Sequence, residues 1–73
     1  MNPPVETIRL LGGLTLVQAV KVSGMADTGG GAKILIRDGG VLVNNQVELR
    51  PGRKLQAGDR FQVPGGKPWL VIA

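Results

Sequence analysis

The 73-residue chain contains neither cysteine nor histidine, and this absence constrains its fold more than any motif does. So short a chain has room for one small core, which domains of this size often reinforce with disulfides or zinc. Without thiols or imidazoles those reinforcements are excluded. We therefore expect a single domain, residues 1–73, stabilised by packing alone. Since Ser23 has no base to activate it and the acidic residues are dispersed, we expect no catalysis, no metal and no cofactor.

The charge balance favours a polyanionic partner. Nine basic and five acidic residues give a net charge of +4, which on a short chain points first to nucleic acid and second to an anionic membrane. The alternative is that these residues only keep a small domain in solution. The N-terminal apolar stretch carries Glu6 and Arg9, is broken by Gly12-Gly13 and is too short to cross a bilayer. We therefore expect a cytoplasmic protein.

The first half of the chain predicts two short helices. Thr15 and Gln18 form a capping-box pattern at the start of the first helix, and Gly24 can end it in a left-handed conformation. The apolar-to-small face of this helix repeats at the helical period and consists of Leu16, Ala19, Val20 and Ser23.

The second helix can be capped by Thr28 or Asp27 and ends at Gly39. Its buried face is expected to consist of Ala32, Leu35 and Ile36. Two short helices joined by a few residues form a helical hairpin.

The second half predicts a sheet, with strands near residues 41–43, 47–49, 60–63 and 69–72. Residues 5–10 are expected to form an edge strand after a loose lead-in at 1–4. If the apolar residues of the first two strands share one face, the connection between them must hold an odd number of residues or a bulge. We therefore expect a three-residue connection at 44–46, with these residues on the shared face: Val41, Val43, Val47 and Leu49. The fold class is α+β: two short helices packed on a small, mostly antiparallel β-sheet.

The start of the second helix is a candidate phosphate site. The string Thr28-Gly29-Gly30-Gly31 places three glycines in the first turn, where each costs up to ~1 kcal/mol relative to alanine. Glycine leaves the free N–H groups of a helix start uncovered, so a phosphate oxygen can approach them. The alternative is a flexible loop with a later helix start. No Gly-Lys-Ser/Thr ending follows, which argues against a nucleotide-binding P-loop.

Two sets of cations flank this turn. Lys33 and Arg37 lie one helical turn apart, and a loop around Pro51-Gly52 carries three more cations, namely Arg50, Arg53 and Lys54. If that loop folds beside the second helix, five cations meet on one surface, although either set could be an ordinary solvated face. Phe61 and Trp69 are the only aromatic residues and are expected in the core, so the chain lacks a base-stacking platform. Folded RNA, recognised by its shape and backbone, is the better expectation.

Residues 15–63 form the core of a family resemblance. The run from Leu16 to Val63 resembles the RNA-binding domain first recognised in small-subunit ribosomal protein S-four, also called the alpha-L motif. The matching positions from the last turn of the second helix onwards are Ile36, Gly39, Val41, Val43 and Asn44, followed by Gly58-Asp59 before a later strand. The strings at 28–33 and 52–55 look most like the short stand-alone bacterial members. Asn45 departs from the family's glycine, and Thr28-Gly29 stands where many members carry Ser-Arg, whose arginine usually contacts RNA.

The resemblance implies an RNA face on the outer side of the two helices and the nearby loops. The cations that match it best are Lys33, Arg37 and Lys54, with Arg53 and Lys21 behind them. It also implies an accessory role beside structured RNA, ribosomal or tRNA-like, with ribosome-associated proteins as possible further partners.

Two other readings compete with RNA binding. The chain could be a protein-interaction module that docks on an acidic partner in a ribosome-associated complex, which composition alone does not exclude. A ubiquitin-like sulfur carrier is disfavoured, because such carriers need a C-terminal Gly-Gly whereas this chain ends in Val71-Ile72-Ala73.

Overall fold

The computed structural model describes residues 6–9 and 12–73. Over these residues the helices are α1 (Leu16–Val22) and α2 (Gly29–Arg37). The strands are β1 (Glu6–Arg9), β2 (Leu14–Thr15), β3 (Leu42–Val43), β4 (Gln46–Val47), β5 (Lys54–Leu55), β6 (Arg60–Gln62) and β7 (Trp69–Ile72). The predicted lead-in at 1–4 and the strand ends at Val5 and Leu10 lie outside the described residues.

Within the described residues the strands form a main sheet and a smaller one. The main sheet has the order β1-β7-β6-β3-β4, and β2 pairs with β5 separately. Only the β1–β7 pairing is parallel, with Glu6 opposite Trp69 and Arg9 opposite Ile72; the other pairings are antiparallel. The predicted α+β class with a mostly antiparallel sheet is therefore confirmed, as is an edge strand over residues 6–9.

Both helix starts are capped by threonine, as the sequence predicts. The Gln18 backbone N–H donates to the Thr15 hydroxyl at 3.4 Å, and the Thr15 N–H donates to the Gln18 side-chain oxygen at 2.9 Å. The capping box at α1 is thus confirmed. At α2 the cap is Thr28 rather than Asp27, and the Thr28 hydroxyl accepts the Gly31 N–H at 2.9 Å.

The core lies between the helix pair and the main sheet. In the part of the chain that the structure describes, ten apolar residues are buried, and they are Leu16, Ala19, Val20, Ala32, Ile36, Val41, Val43, Leu55, Phe61 and Val71. Phe61 stacks on half-buried Trp69 with ring centroids 6.2 Å apart, so both predicted core aromatics pack there. Leu35 is half-buried and packs against this core. None of the described helices is long and apolar enough to span a membrane.

The connection between β3 and β4 differs from the prediction. It holds two residues, Asn44 and Asn45, both with positive φ (51° and 68°), rather than three. Two positive φ values are what a two-residue hairpin turn requires, and asparagine accepts them. The Asn44 side chain also anchors the turn, because its Oδ1 accepts the Arg60 N–H at 3.0 Å.

Because the turn is one residue shorter than predicted, the side chains that follow it face the opposite side of the sheet from the one predicted. Val47 pairs with Leu42, and the Glu48 N–H donates to the carbonyl of buried Val41 at 3.2 Å. Val47 and Leu49 are therefore 55% and 54% exposed, whereas the side chain of Glu48 is buried. A shift of one residue in a hairpin moves each side chain to the opposite face. The prediction that Val47 and Leu49 share the core face was wrong.

Candidate nucleic-acid interface

A shallow groove runs between the two helices at the start of α2. Its lining residues come from both helices and are Val17, Gln18, Lys21, Gly29, Gly30 and Lys33. The groove therefore brings together four of the residues proposed from the sequence, since Lys21 and Lys33 face it beside the two glycines. We call this set the inter-helix groove. Both lysine side chains are exposed at its rim.

The first turn of α2, which lines this groove, contains backbone donors without a partner among the described residues. Thr28 occupies the Gly31 N–H, while the N–H groups of Gly29 and Gly30 belong to the helix start and have no acceptor four residues earlier in the helix. A methyl group placed on either glycine would meet no heavy atom within 4 Å. The helix dipole adds partial positive charge at the same end.

Arg37 lies apart from the groove. It is exposed in the last turn of α2, one turn beyond Lys33 and at the opposite end of the helix from Gly29. A cation at this end is favourable for the helix because it faces the negative end of the dipole. Within the described residues, neither Lys33 nor Arg37 forms an ion pair.

The basic segment, residues 50–54, packs against the start of α1. The Leu16 N–H donates to the Arg53 carbonyl at 2.8 Å, and the Val17 N–H donates to the Pro51 carbonyl at 3.0 Å. Lys54 pairs with Thr15 across the β2–β5 ladder, and its side chain is exposed. Since Val17 also lines the inter-helix groove, the segment adjoins that groove through α1.

Glu48 holds the two arginines of the basic segment. Its Oε1 accepts the Arg50 Nε–H at 2.7 Å and the Arg50 backbone N–H at 3.1 Å, while its Oε2 accepts the Arg53 Nη1–H at 3.0 Å. The Arg50 hydrogen bond is the largest cause that lowers the pKa of Glu48, burial opposes it, and Arg53 adds to the lowering; the pKa falls from 4.5 to about 2. The same contact raises the pKa of Arg50.

Two residues of this surface were not predicted from the sequence. From the sequence, Glu48 was grouped with the dispersed acidic residues, and Arg9 was noted only as a charged residue in the N-terminal apolar stretch. Arg9 lies on β1 and lines a second groove together with Lys21 and Gln18. The Asn44-Asn45 pair could have indicated the inward face of Glu48, because it favours a two-residue turn.

This geometry defines a class of protein. A small basic α+β domain with exposed lysines beside a helix start has features that are typical of nucleic-acid-binding domains.

Comparison with known proteins identifies the family. A family model described as the S4 domain matches residues 12–71. A protein of Bacillus subtilis (strain 168) named "Probable ribosome maturation protein RlbA" is 38% identical over 59 residues, which cover 81% of this chain and 83% of that protein. The chain belongs to the S4 domain family. The resemblance drawn from the sequence is therefore confirmed.

Proposed function

We propose that this protein is a non-catalytic module that binds structured RNA, ribosomal or tRNA-like, through its backbone phosphates. The observation that carries the proposal is the inter-helix groove, in which lysines from two helices flank open backbone donors within an S4 domain. Phosphate contacts from lysine, arginine and helix starts position a protein on nucleic acid without reading its sequence.

The groove offers an RNA phosphate two kinds of contact. The open N–H groups of Gly29 and Gly30 can donate to a phosphate oxygen at the positive end of the helix dipole. Lys21 and Lys33 supply mobile point charges on either side of it. Arg37 and the cations of the basic segment are proposed to meet neighbouring phosphates along the same strand, and Lys54 is the exposed lysine of that segment.

The aromatic residues support folded RNA over single strands as the ligand. Proteins that bind single strands present exposed aromatic side chains on which bases stack. Phe61 is buried here and stacks against Trp69, which packs on the core. Recognition through shape and phosphates is the mode left to a surface of this kind.

The setting that we propose is the ribosome. The name of the Bacillus subtilis relative refers to ribosome maturation, and that protein matches most of this chain. An accessory protein in the cytoplasm that joins ribosomal RNA during maturation fits both that name and the groove.

Fluorescence anisotropy can test the proposal. The wild-type protein and the Lys33→Ala/Arg37→Ala double variant would be titrated into a labelled stem-loop of ribosomal RNA and a DNA duplex of equal length, each at two salt concentrations. We expect tighter binding to the RNA, strong salt dependence, and a salt slope that falls by about two in the double variant. Equal weak binding to both nucleic acids, indifferent to the substitutions, would refute the proposal.

A second candidate function is docking on an acidic partner in a ribosome-associated complex. The exposed apolar side chains of Val47 and Leu49 favour a protein partner, because they lie together 3.7 Å and 4.0 Å from where a Cβ on Gly39 would stand. The net positive charge is what would suit an acidic one. Retention on ribosomal particles that survives nuclease treatment, and that is lost on Val47→Ser with Leu49→Ser, would favour this function over RNA binding.

A further inference from the structure

Glu48, Arg50 and Arg53 form a hydrogen-bonded set that we call the Glu48 cluster. None of the three lines the inter-helix groove, and Glu48 lies just before the basic segment. Glu48 is the one polar or charged residue that is buried among the described residues, and each of its carboxylate oxygens accepts hydrogen bonds from arginine. Burial of a carboxylate costs free energy that only close, well-aligned partners offset. We therefore looked for a role of the Glu48 cluster other than keeping the protein in solution.

Electrostatics alone would disfavour this carboxylate. A negative charge beside a surface that attracts a polyanion weakens the attraction, and here it opposes two of the three cations of the basic segment. If Glu48 acted only through its charge, its neutralisation would improve RNA binding.

The geometry of Arg50 gives Glu48 a different role. Its Nε donates to Glu48, yet the Arg50 side chain remains 76% exposed, and its Nη1 and Nη2 groups make no hydrogen bond within the described residues. The guanidinium is planar, so fixing the Nε side also fixes the direction of the remaining donors. Arg50 is thus held at one edge and open at the other.

Arg53 extends the bracing to the helix pair. Its Nη1 donates to Glu48, and its carbonyl accepts the Leu16 N–H at the start of α1. Through these bonds Glu48 links the end of the β3–β4 hairpin to the helix that carries Lys21. The basic segment is therefore held in place relative to the inter-helix groove.

We propose that Glu48 is a positioning residue for RNA binding: it holds Arg50 so that the free edge of the guanidinium meets an RNA phosphate beside the inter-helix groove. The inference rests on the proposed function. Bidentate contact between arginine and phosphate depends on orientation, so a braced arginine loses less side-chain freedom on binding than a free one.

The experiment measures affinity for a fluorescein-labelled stem-loop of ribosomal RNA by anisotropy, using the full chain. The variants are Glu48→Gln, Arg50→Ala and both together. Glu6→Gln is the charge-matched control, because β1 lies at the opposite edge of the main sheet from β4. Thermal melts monitored by circular dichroism confirm that each variant is folded at the temperature of the titration.

We expect Glu48→Gln to weaken binding about fivefold although it raises the net charge, whereas Glu6→Gln tightens binding by up to about twofold. In the Arg50→Ala background, Glu48→Gln should change the affinity little, because the residue acts through Arg50. If Glu48→Gln fails to fold, Arg50→Ala can still refute the inference: it should weaken binding about fivefold, well beyond Lys67→Ala in the turn after β6, and a loss no larger than that of Lys67→Ala would overturn the inference.

Two results would overturn the inference alone. One is RNA binding by Glu48→Gln that is as tight as that of Glu6→Gln. The other is an equal loss in the presence and absence of Arg50, which would make Glu48 a purely structural residue. Failure of the wild-type protein to bind RNA would instead refute the proposed function, and the inference with it.

Discussion

The inter-helix groove and the basic segment carry similar charge but organise it differently. Lys21 and Lys33 extend from the helices with exposed side chains and without an ion pair in the described structure. Arg50 and Arg53 instead share one buried carboxylate, Glu48. The first region offers exposed charge without an ion pair to any described residue, and the second offers an Arg50 guanidinium that is held by hydrogen bonds at one edge.

A count of cations therefore does not describe these two regions, because it ignores how each side chain is held. Mobile lysines contribute long-range attraction that salt screens, and each loses side-chain entropy when it binds. A braced arginine contributes less net charge but retains its geometry. We expect the lysines of the groove to contribute most to the salt dependence of RNA affinity. We expect RNA affinity to depend on side-chain geometry mainly in the basic segment.

The largest expected effect concerns the groove. Lys21→Ala with Lys33→Ala should weaken binding to the RNA stem-loop at least about tenfold at low salt and lower the salt slope by about two. The measurement is anisotropy across a salt series. Arg60→Ala with Lys67→Ala is the matched control, since it also removes two exposed cations, one on β6 and one in the turn between β6 and β7. Equal losses in the pair variant and in the control would erase the distinction between groove and general surface charge.

A smaller effect on RNA affinity should distinguish the geometry of the Arg50 side chain from its charge. Arg50→Lys retains the positive charge but loses the Nε donor that Glu48 holds, so we expect about threefold weaker binding with little change in salt slope. Lys33→Arg should leave the affinity within about twofold, because Lys33 acts as a point charge. The same titration measures both. Identical behaviour of the two exchanges would mean that the basic segment is no better ordered than the groove.

Acid should remove the stability that Glu48 contributes to the fold. The pKa of Glu48 is about 2 when folded and 4.5 when unconstrained, so its stabilising contribution is complete above pH 4.5 and is lost as the pH falls from there towards 2. Urea unfolding at pH 5, 4 and 3 should show this decline, and Glu48→Gln should show a flatter one. Parallel declines in both proteins would assign acid sensitivity to other carboxylates.

The smallest effect tests the open helix start. Gly30→Ala should stabilise the fold by about 0.5–1 kcal/mol, because alanine is the better helix former and its Cβ would meet no atom within 4 Å. RNA affinity should nevertheless fall about twofold, since the methyl group partly covers the N–H groups of the groove. Thermal melts and anisotropy measure the two changes. A stabilised variant with unaltered affinity would show that phosphates do not approach this turn.

The helical hairpin could be predicted from the sequence because its signals are local. Thr15, Gln18 and Thr28 cap their helices as expected, and the glycines that end each helix, Gly24 and Gly39, adopt positive φ. Each of these signals depends on residues within one or two turns. The order of strands and the parallel pairing of β1 with β7 depend on distant contacts and could not be read in this way.

The β3–β4 hairpin shows why the rest was missed. We predicted a three-residue connection because we expected the apolar residues of both strands to share the core face. The structure instead has a two-residue turn, Asn44-Asn45. Because the predicted connection was one residue too long, Val47 was placed in the core and Glu48 on the surface. The Glu48 cluster was therefore not predicted. The site residues proposed from the sequence remain proposals, although the structure brings Lys21, Lys33 and the glycines of α2 into one groove.

The most direct measurement is a titration of ¹⁵N-labelled protein with the RNA stem-loop, followed by NMR at the backbone amides and the arginine Nε groups. RNA binding through the groove and the basic segment predicts shifts concentrated at residues 28–33 and 50–54, with the Arg50 Nε signal among the most affected and residues 64–72 unchanged. Shifts concentrated at 64–72 or at Val47 and Leu49, with residues 28–33 and 50–54 unmoved, would contradict it.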